Sequence, residues 1–307
     1  MTDIVDEIRA ACAWVSGRAR HVEIVTAAIP GYAASLCRGS EAGADPDAHL
    51  SGADPETLAA FWLTLDAINF GSGWFPTLRK RPGHSGYLTV AAGLKDRFAA
   101  HGAWSAAELA RIGAPEIAAV LGQDPDHELM ALFAASLRDL GTRLSDGYGA
   151  SALALAQSAD GSAVALVERL AGWCCFADVS RYEGRAVPFL KRAQIAAADL
   201  HRAGVARFGD LDRLTMFADN LVPHVLRIDG VLRFSPALVA RIDAGELIEH
   251  GSAEEVEIRA CAVHAIELIA AARPDSCPAD IDELLWLRGG EPRYKASPRH
   301  RSRCTAY

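Results

Sequence analysis

The chain has 307 residues, of which 50% are hydrophobic, 23% charged and 7% aromatic. This composition supplies enough apolar mass for a sizeable hydrophobic core and excludes disorder as the main state of the chain. The 31 Lys and Arg residues stand against 39 Asp and Glu residues, which gives a net charge of −8. Such a charge argues against a dedicated nucleic-acid-binding protein, because the surface of a nucleic-acid-binding protein must attract phosphate groups.

No stretch approaches the roughly 20 consecutive apolar residues that span a bilayer. The segment from Met1 to Ala10 carries acids where a signal peptide carries bases. We therefore expect a cytoplasmic protein without a membrane partner. The 7 cysteines include no Cys-x-x-Cys pair, so they predict neither a disulfide framework nor a zinc site. No metal and no other cofactor is expected.

Helix-start signals recur along the chain. Asp54-Pro55, Asp124-Pro125 and Ser235-Pro236 each place a capping side chain before a proline that suits the first helical turn. The stretches from Ser105 to Glu108 and from Ser252 to Glu255 match the capping-box pattern. Together these signals predict one mostly α-helical domain over the whole chain.

Turn and strand signals are fewer. A glycine-containing turn from Ile112 to Pro115 joins two short predicted helices, which is the shape of a helix-hairpin-helix motif. The stretch from Ala203 to Phe217 is a second candidate of this kind. Strand signals are confined to Tyr87–Val90, Val187 and the stretch from Val225 to Phe234. The sequence therefore predicts the all-α class, with at most a few short strands.

Several common reaction classes lack their motifs. Gly71-Ser72-Gly73 follows a predicted helix and has no Walker lysine, so it indicates neither a phosphate loop nor a dinucleotide site. No Gly-x-Ser-x-Gly elbow is present to support serine-hydrolase chemistry. Carboxylates remain as the candidate reactive groups.

One candidate carboxylate lies on a predicted helix. The stretch from Val187 to Leu200 predicts a helix that has Pro188 in its first turn and an apolar stripe at three- and four-residue steps. Arg192 and Asp199 project from a neighbouring face at the edge of that stripe. This pair fits either a solvated salt bridge or a cation and a carboxylate held at a binding site.

A second carboxylate stands in an apolar environment. Asp219 is flanked by large apolar residues, namely Met216, Phe217, Leu221 and Val222. Burying a carboxylate costs several kcal/mol unless another group pairs with it or the protein uses it. Asp219 therefore caps the turn at Pro223, pairs with Arg227, or takes part in chemistry.

Five separated segments carry a recognisable pattern, namely Leu65 to Phe70, Lys191 to Asp199, Leu214 to Pro223, Glu255 to Cys261 and Pro298 to Tyr307. These segments, in this order along the chain, resemble the queuosine salvage family, the queuosine 5′-phosphate N-glycosylase/hydrolases. The resemblance extends over most of the chain, from about Arg9 to the last residue. It is more specific than any single motif, because the order of the segments also agrees.

The resemblance implies a fold similar to helix-hairpin-helix DNA glycosylases. It also implies metal-independent hydrolysis of the N-glycosidic bond of a free nucleoside 5′-monophosphate, with release of queuine. A small-molecule nucleotide is therefore the expected partner, and direct nucleic-acid binding is not expected. By position, Asp219 matches the carboxylate that faces the anomeric carbon, and Asp199 matches a second acid that orients the base or the ribose.

The same resemblance gives the substrate-binding candidates, which are Lys191, Asp66, Asn69, Phe70, Phe217, His21, Asn220 and Arg301. Phe70 and Phe217 are candidates to stack on the base. Asp66 is expected to meet the cationic amine of the queuine side chain. His21 is expected in the part of the N-terminal helix that lines the pocket.

The chain also departs from the family pattern. Asn220 and Leu221 replace an aromatic residue and a cation after Asp219, and His224 replaces a glutamine. The expected substrate is therefore queuosine 5′-monophosphate or a related modified nucleotide, and two alternatives stay open. One is a non-catalytic or differently specific nucleotide- or base-binding protein of the same fold. The other is a helix-hairpin-helix nucleic-acid glycosylase, against which the net charge argues. Within one domain of residues 1–307, the basic segment 288–307 is expected to fold back on the acidic body, with Arg301 over the ligand phosphate.

Overall fold

The computed structural model of the protein describes residues 3–36 and 45–307, and most of them are helical, which confirms the mostly α-helical class. The helices are α1 (Ile4–Ser16), α2 (Ile29–Ser35), α3 (Pro55–Ala67), α4 (Gly86–His101), α5 (Ala106–Leu109), α6 (Ala114–Leu121), α7 (Glu128–Gly147), α8 (Ala152–Ser158), α9 (Ala163–Ala171), α10 (Lys191–Arg202), α11 (Val222–Ile228), α12 (Pro236–Asp243), α13 (Ala253–Ala271), α14 (Pro278–Arg288) and α15 (Pro292–Lys295). The strands are β1 (Val22–Ile24), β2 (Val179–Tyr182), β3 (Arg185–Pro188) and β4 (Leu232–Phe234). Short 3-10 turns cover Thr26–Ala28, Phe75–Thr77, Cys174–Phe176 and Leu211–Arg213.

Most predicted helix starts are confirmed. Asp54 caps α3, Ser235 caps α12, and Ser105 opens α5 with a complete capping box. The predicted box at α13 is incomplete, because the Glu255 carboxylate accepts the Gly251 N–H rather than that of the capping serine. Local sequence signals therefore specify where these helices begin.

Two local predictions are wrong. α7 begins at Glu128 instead of after Asp124-Pro125, because the His127 ring is the group that accepts the first free N–H of the helix. Tyr87–Val90 belongs to α4, which Ser85 caps, and is not a strand. The cap at Ser85 therefore favours a helix here, although the β-branched and aromatic residues that follow it favour a strand.

The helix that carries Lys191 also begins later than predicted. Val187 and Pro188 pair with β2 as part of β3, and α10 starts at Lys191. Between them Leu190 adopts a left-handed conformation with φ of 50°, which is strained for a side chain larger than glycine. Asp178 holds this turn, because its carboxylate accepts the Lys191 N–H at 3.1 Å.

The described residues form two small antiparallel sheets. β2 and β3 are a hairpin whose turn residues, Glu183 and Gly184, both have positive φ values of 45° and 81°, as a type I′ turn requires. β1 pairs with β4, so that Val22 lies opposite Phe234. Of the predicted strand stretch from Val225 to Phe234, only β4 is a strand, and its first part is helix α11.

Two groups of helices meet along α10. α13 packs against α1, α2, α11 and α14, and α3 packs against α4, α7 and α8. α10 contacts both α3 and α9, and α9 in turn contacts α1. Three charged residues of α13, Glu255, Glu257 and Arg259, are fully buried, so this helix carries internal ion pairs as well as core contacts. Within residues 3–36 and 45–307 we find no helix with the length and apolarity to cross a membrane.

The predicted hairpin motifs have different outcomes. Helices α5 and α6 do flank the turn at Ile112–Pro115. After α10, by contrast, the chain forms only the 3-10 turn Leu211–Arg213, so the second candidate lacks its second helix. Similarity of the whole fold to helix-hairpin-helix glycosylases stays a prediction.

The contact between α5 and α7 requires glycine at position 141. A Cβ atom built on Gly141 would lie 2.5 Å from the backbone oxygen of Ala106 and 2.5 Å from the backbone nitrogen of Ala110. We expect Gly141→Ala to lower the free energy of unfolding by about 2–3 kcal/mol, because neither backbone atom can move without shifting a helix. Gly147 on the same helix has open space around it, so Gly147→Ala is the matched control. Urea unfolding of both variants measures the difference, and equal stabilities would contradict the close approach.

Candidate functional site

Four carboxyl groups and one lysine from different elements lie within electrostatic reach of one another. Asp66 is on the last turn of α3, Lys191 and Asp199 are on α10, Asp219 precedes α11, and Asp282 is on α14. Burial and then the charge of Asp199 raise the pKa of Asp66, and burial and then the charge of Asp219 raise the pKa of Asp282. We name these five side chains the acidic cluster.

The Asp219 carboxylate has a fixed orientation. Its Oδ1 atom accepts the Leu221 N–H at 2.7 Å and the Val222 N–H at 3.2 Å, at the start of α11. Asp219 thus accepts N–H groups just before Pro223, although the N-cap position of α11 is Leu221. The predicted pairing with Arg227 is wrong, because Arg227 donates to the Pro298 carbonyl. These two bonds to Asp219 use one carboxylate oxygen, so they are compatible with a chemical role for the other oxygen.

The backbone around Asp219 is held from three sides. The Phe217 N–H donates to Asp282 Oδ1 at 3.1 Å, and the Ala218 carbonyl accepts a bond of 2.9 Å from a buried arginine on α13. The Asn220 amide donates to the His300 carbonyl at 2.9 Å. Asn220, predicted to bind substrate, therefore binds the C-terminal segment in this structure. These three bonds fix residues 217–220 against α14, α13 and the C-terminal segment.

Lys191 and Asn69 form a direct pair, as members of one predicted site should. The Lys191 ammonium donates to the Asn69 backbone oxygen at 2.9 Å and to its side-chain oxygen at 3.2 Å. Burial lowers the pKa of Lys191, and the charges of Asp219 and Asp66 oppose that effect. Lys191 is therefore a cation on which the charges of both carboxyl groups act.

Asp66 is the least satisfied member of the acidic cluster. Its side chain is fully buried, and among the described residues neither of its oxygens accepts a hydrogen bond of normal geometry. Burial and the Asp199 charge raise its pKa, and Lys191 lowers it only in part. The Asn69 side chain is close enough to lower the pKa of Asp66 but forms no hydrogen bond of normal geometry with it. A buried carboxyl group held so weakly is costly to the folded protein, so this position favours binding of a group that supplies donors.

Asp199 has a different partner from the one expected. Its carboxylate lies 3.3 Å from Arg202, and burial, partly offset by Arg202, raises its pKa to about 6. The predicted pairing with Arg192 is absent from the described contacts of both residues. Arg192 is instead fully buried, donates to the Ala67 carbonyl at 2.5 Å and lies 5.1 Å from the Phe70 ring centre.

Two members of this region were not predicted from the sequence. Asp282 stands among apolar residues and other acids in the sequence of α14, a pattern typical of an exposed helix face. In the structure, however, Asp282 is only 4% exposed. Tyr87 lies on α4, where the sequence predicts a strand. Its hydroxyl lies 3.0 Å from His49 Nε2, and its ring centre lies 6.0 Å from that of Trp286. Burial and then the charges of Asp199 and Asp66 raise the pKa of Tyr87.

The C-terminal segment contributes cations to the same region. Burial lowers the pKa of Arg299, the charge of Asp219 opposes this, and the neighbouring Arg301 adds to it. The segment is anchored on the body of the protein, because the Arg301 carbonyl accepts the Ile248 N–H at 2.9 Å and the Tyr307 carbonyl accepts the Gly71 N–H at 3.1 Å.

Two predicted site residues lie elsewhere or are unavailable. His21 follows α1 rather than belonging to it, and its backbone bonds to Glu257 and Ser235. Phe70 is 1% exposed and its ring packs at 5.0 Å on Phe133, so it offers no free face to a base. Phe217 is also buried, and its backbone N–H donates to Asp282 Oδ1.

The acidic cluster does not coincide with either of two surface depressions. Two surface depressions of about 460 and 470 Å³ lie beside β4 and around Asp229, and neither is lined by a member of the cluster. In the part of the chain that the structure describes, no three His, Cys, Asp or Glu side chains are arranged to hold a metal ion.

The fold and the site define a mostly α-helical protein whose buried site is built from carboxyl groups around one lysine. Such a site suits a ligand that carries positive charge or develops it during reaction. The chain belongs to the queuosine salvage protein family, whose model matches residues 48–307.

Similar proteins support this assignment. A queuosine 5′-phosphate N-glycosylase/hydrolase of Sphaerobacter thermophilus is 36% identical over 266 residues, which cover 82% of each chain. The protein with the same name from Dictyostelium discoideum is 30% identical over 321 aligned positions, which cover 96% of this chain and 97% of that one. The mouse protein of this name is 32% identical over 56% of both chains.

Proposed function

We propose that this protein hydrolyses the N-glycosidic bond of queuosine 5′-phosphate and releases queuine. The observation that carries the proposal is family membership over residues 48–307, with relatives across nearly the full length whose names specify this activity. The acidic cluster supports it, because cleavage of a glycosidic bond passes through an oxocarbenium-like state that a carboxylate stabilises.

Asp219 is the proposed catalytic carboxylate, facing the anomeric carbon. The bond from that carbon to the base breaks, water supplies the hydroxyl group that the sugar gains, and the released base gains the remaining proton. A 7-deazapurine has carbon in place of N7, so protonation of the leaving base at that position is not available. More of the barrier must therefore be lowered at the sugar, which favours a fixed carboxylate such as Asp219.

Asp66, Asp199 and Asn69 are proposed to bind the base. The amine of the queuine side chain is cationic, and a cation beside Asp66 would supply the hydrogen bonds that this buried carboxyl group lacks. Lys191, which is bonded to Asn69, would keep the base side and the sugar side of the site at a fixed separation. Phe217 is the aromatic residue nearest in sequence to Asp219, and we keep it as a stacking candidate.

The C-terminal segment 288–307 is proposed to complete this site as part of one domain of residues 1–307. Its contacts with Ile248 and Gly71 support the expected folding back on the body. Arg299 and Arg301 are the proposed ligands of the 5′-phosphate, because a doubly charged phosphate needs a local cation on an acidic protein. A free nucleotide in the cytoplasm, rather than a nucleic acid, is the proposed partner.

A non-catalytic binding protein of the same fold is less well supported. A binder of a neutral sugar has no need for a carboxylate that two backbone N–H groups hold in one orientation. The names of the full-length relatives also specify hydrolysis.

The direct test is incubation of the purified protein with queuosine 5′-phosphate, queuosine without phosphate and a panel of ordinary nucleotides. Chromatography of the free bases is expected to detect queuine from the phosphorylated substrate. Arg301→Ala should weaken use of the phosphorylated substrate and leave the unphosphorylated one unaffected. Absence of base release from every compound by a folded protein would contradict the proposed function.

The pH dependence of this reaction should report Asp199. Burial raises its pKa to about 6, so if the ionised group binds substrate, kcat/KM rises about tenfold per pH unit below that value and levels off above it. Arg202 lowers this pKa; Arg202→Gln should therefore move the acid limb of the profile to higher pH. Arg233→Gln, which removes an exposed arginine paired with Glu23, is the control. An acid limb that stays in place in Arg202→Gln would exclude Asp199 as the titrating group.

A further inference from the structure

Arg259 connects the two halves of the proposed site. Its side chain is fully buried on α13, its Nε atom donates to the Ala218 carbonyl at 2.9 Å, and its Nη2 atom donates to Asp178 Oδ2 at 2.6 Å. Ala218 immediately precedes Asp219. The same oxygen of Asp178 accepts the Lys191 N–H at 3.1 Å. One guanidinium group therefore ties the segment that carries Asp219 to the turn that carries Lys191.

Two aromatic rings enclose this guanidinium group. Its central carbon lies 3.9 Å from the ring centre of Phe189 and 4.7 Å from that of Tyr307. Both rings are buried. Cation–π contact with both rings restricts the position of the guanidinium group, and with it the N–H groups that donate to Ala218 and Asp178.

Tyr307 is itself anchored independently of Arg259. Its hydroxyl donates to Ser302 Oγ at 3.0 Å, and its carbonyl accepts the Gly71 N–H. A Cβ atom on Gly73 would lie 2.5 Å from the Ser302 carbonyl oxygen, so the segment that carries Ser302 rests directly on the backbone after α3. The ring of Tyr307 is thus fixed to the α3 side while it covers a residue of α13.

We infer that Arg259 is a positioning residue for the proposed hydrolysis, and that the Tyr307 ring sets its orientation and thereby the position of Asp219 relative to Lys191. This inference rests on the proposed function for its effect on rate. The C-terminal segment then has a second function besides phosphate binding. Tyr307 does not contact substrate but acts through Arg259 on the backbone next to Asp219.

The test separates the Tyr307 ring from its hydroxyl group. Substitution of Arg259 would leave Asp178 buried without its cation and destabilise the whole protein, so the informative variants are at Tyr307. Tyr307→Phe keeps the ring and loses only the hydroxyl group, with its contacts to Ser302 Oγ and His300 Nε2, whereas Tyr307→Leu removes the ring. Tyr294 is a second buried tyrosine of the C-terminal segment, bonded to Asp229 instead, so Tyr294→Leu controls for the loss of a buried ring.

Kinetics give the first readout. We expect Tyr307→Leu to lower kcat about 10- to 100-fold with KM changed less than about threefold, because the reacting groups are misplaced while the binding groups remain. Tyr307→Phe and Tyr294→Leu should keep kcat within about twofold of the unmodified protein. Equal kcat in Tyr307→Leu and Tyr294→Leu would overturn the inference, as would an equal loss in Tyr307→Phe.

Amide hydrogen exchange gives a second readout that does not depend on activity. The Leu221 and Val222 N–H groups donate to Asp219, and their exchange should be several-fold faster in Tyr307→Leu than in the two other variants. Unchanged exchange there contradicts the positioning role whether or not the protein releases queuine. If exchange responds as expected but the unmodified protein releases no base, the proposed function fails and the connection from Tyr307 to Asp219 stands.

Discussion

We expect Asp219→Asn to release queuine from queuosine 5′-phosphate at least about 10³-fold more slowly than the unmodified protein. The amide side chain keeps an oxygen that can accept the Leu221 and Val222 N–H groups. These two bonds are thus retained while the negative charge is lost. The loss of rate therefore measures what the charge contributes when positive charge develops at the anomeric carbon.

Binding should survive the same change. Asp66, Lys191 and the C-terminal arginines are unchanged in Asp219→Asn, so the affinity for queuosine 5′-phosphate, measured by calorimetry, should stay within about tenfold. Asp212→Asn, at an exposed position of the preceding turn, is the control and should keep full activity. Normal release of queuine by Asp219→Asn would remove this residue from the reaction and direct attention to Asp282.

The parts of the fold that were predictable from the sequence are those that local chemistry decides. Asp54, Ser105 and Ser235 cap helices where expected, because a side-chain oxygen satisfies free N–H groups of its own segment. The start of α10 was not predictable in this way. It depends on Asp178, which is distant in sequence and holds the left-handed turn at Leu190.

The residues of the candidate site also fall into those with a local sequence signal and those without one. Asp219 was identified because an acid among apolar residues needs a partner or a use, and the structure gives it both a backbone N–H partner and a place in the acidic cluster. Asp282 and Arg259 have no such local signal, since acids and bases at helical spacing are common on surfaces. Their burial follows only from the packing of α13 and α14. Phe70 illustrates the limit of a motif, because a motif residue in the predicted segment is also a buried core residue.

The largest loss of stability is expected from Arg259→Met. Asp178 and Glu255 would keep their buried negative charges without the guanidinium group that now pairs with both. Breaking a buried ion pair from one side costs about 3–5 kcal/mol, because the remaining charge is left desolvated and unpaired. Urea unfolding at neutral pH measures this loss. Arg241→Met is the matched control, since Arg241 also pairs with two carboxylates but is partly exposed, and its loss should cost less than about 1 kcal/mol.

A double substitution distinguishes a lost ion pair from lost packing. Asp178→Asn removes the charge that Arg259→Met leaves without a cationic partner, whereas Glu255 keeps His250 at 3.3 Å. The double variant should therefore be more stable than the sum of the two single effects by about 1–3 kcal/mol. Simple additivity would mean that Arg259 stabilises the protein chiefly through its contacts with Phe189 and Tyr307. In that case the ring contacts would orient Arg259 Nε toward the Ala218 carbonyl, and the buried charges would contribute little to holding the two halves of the site together.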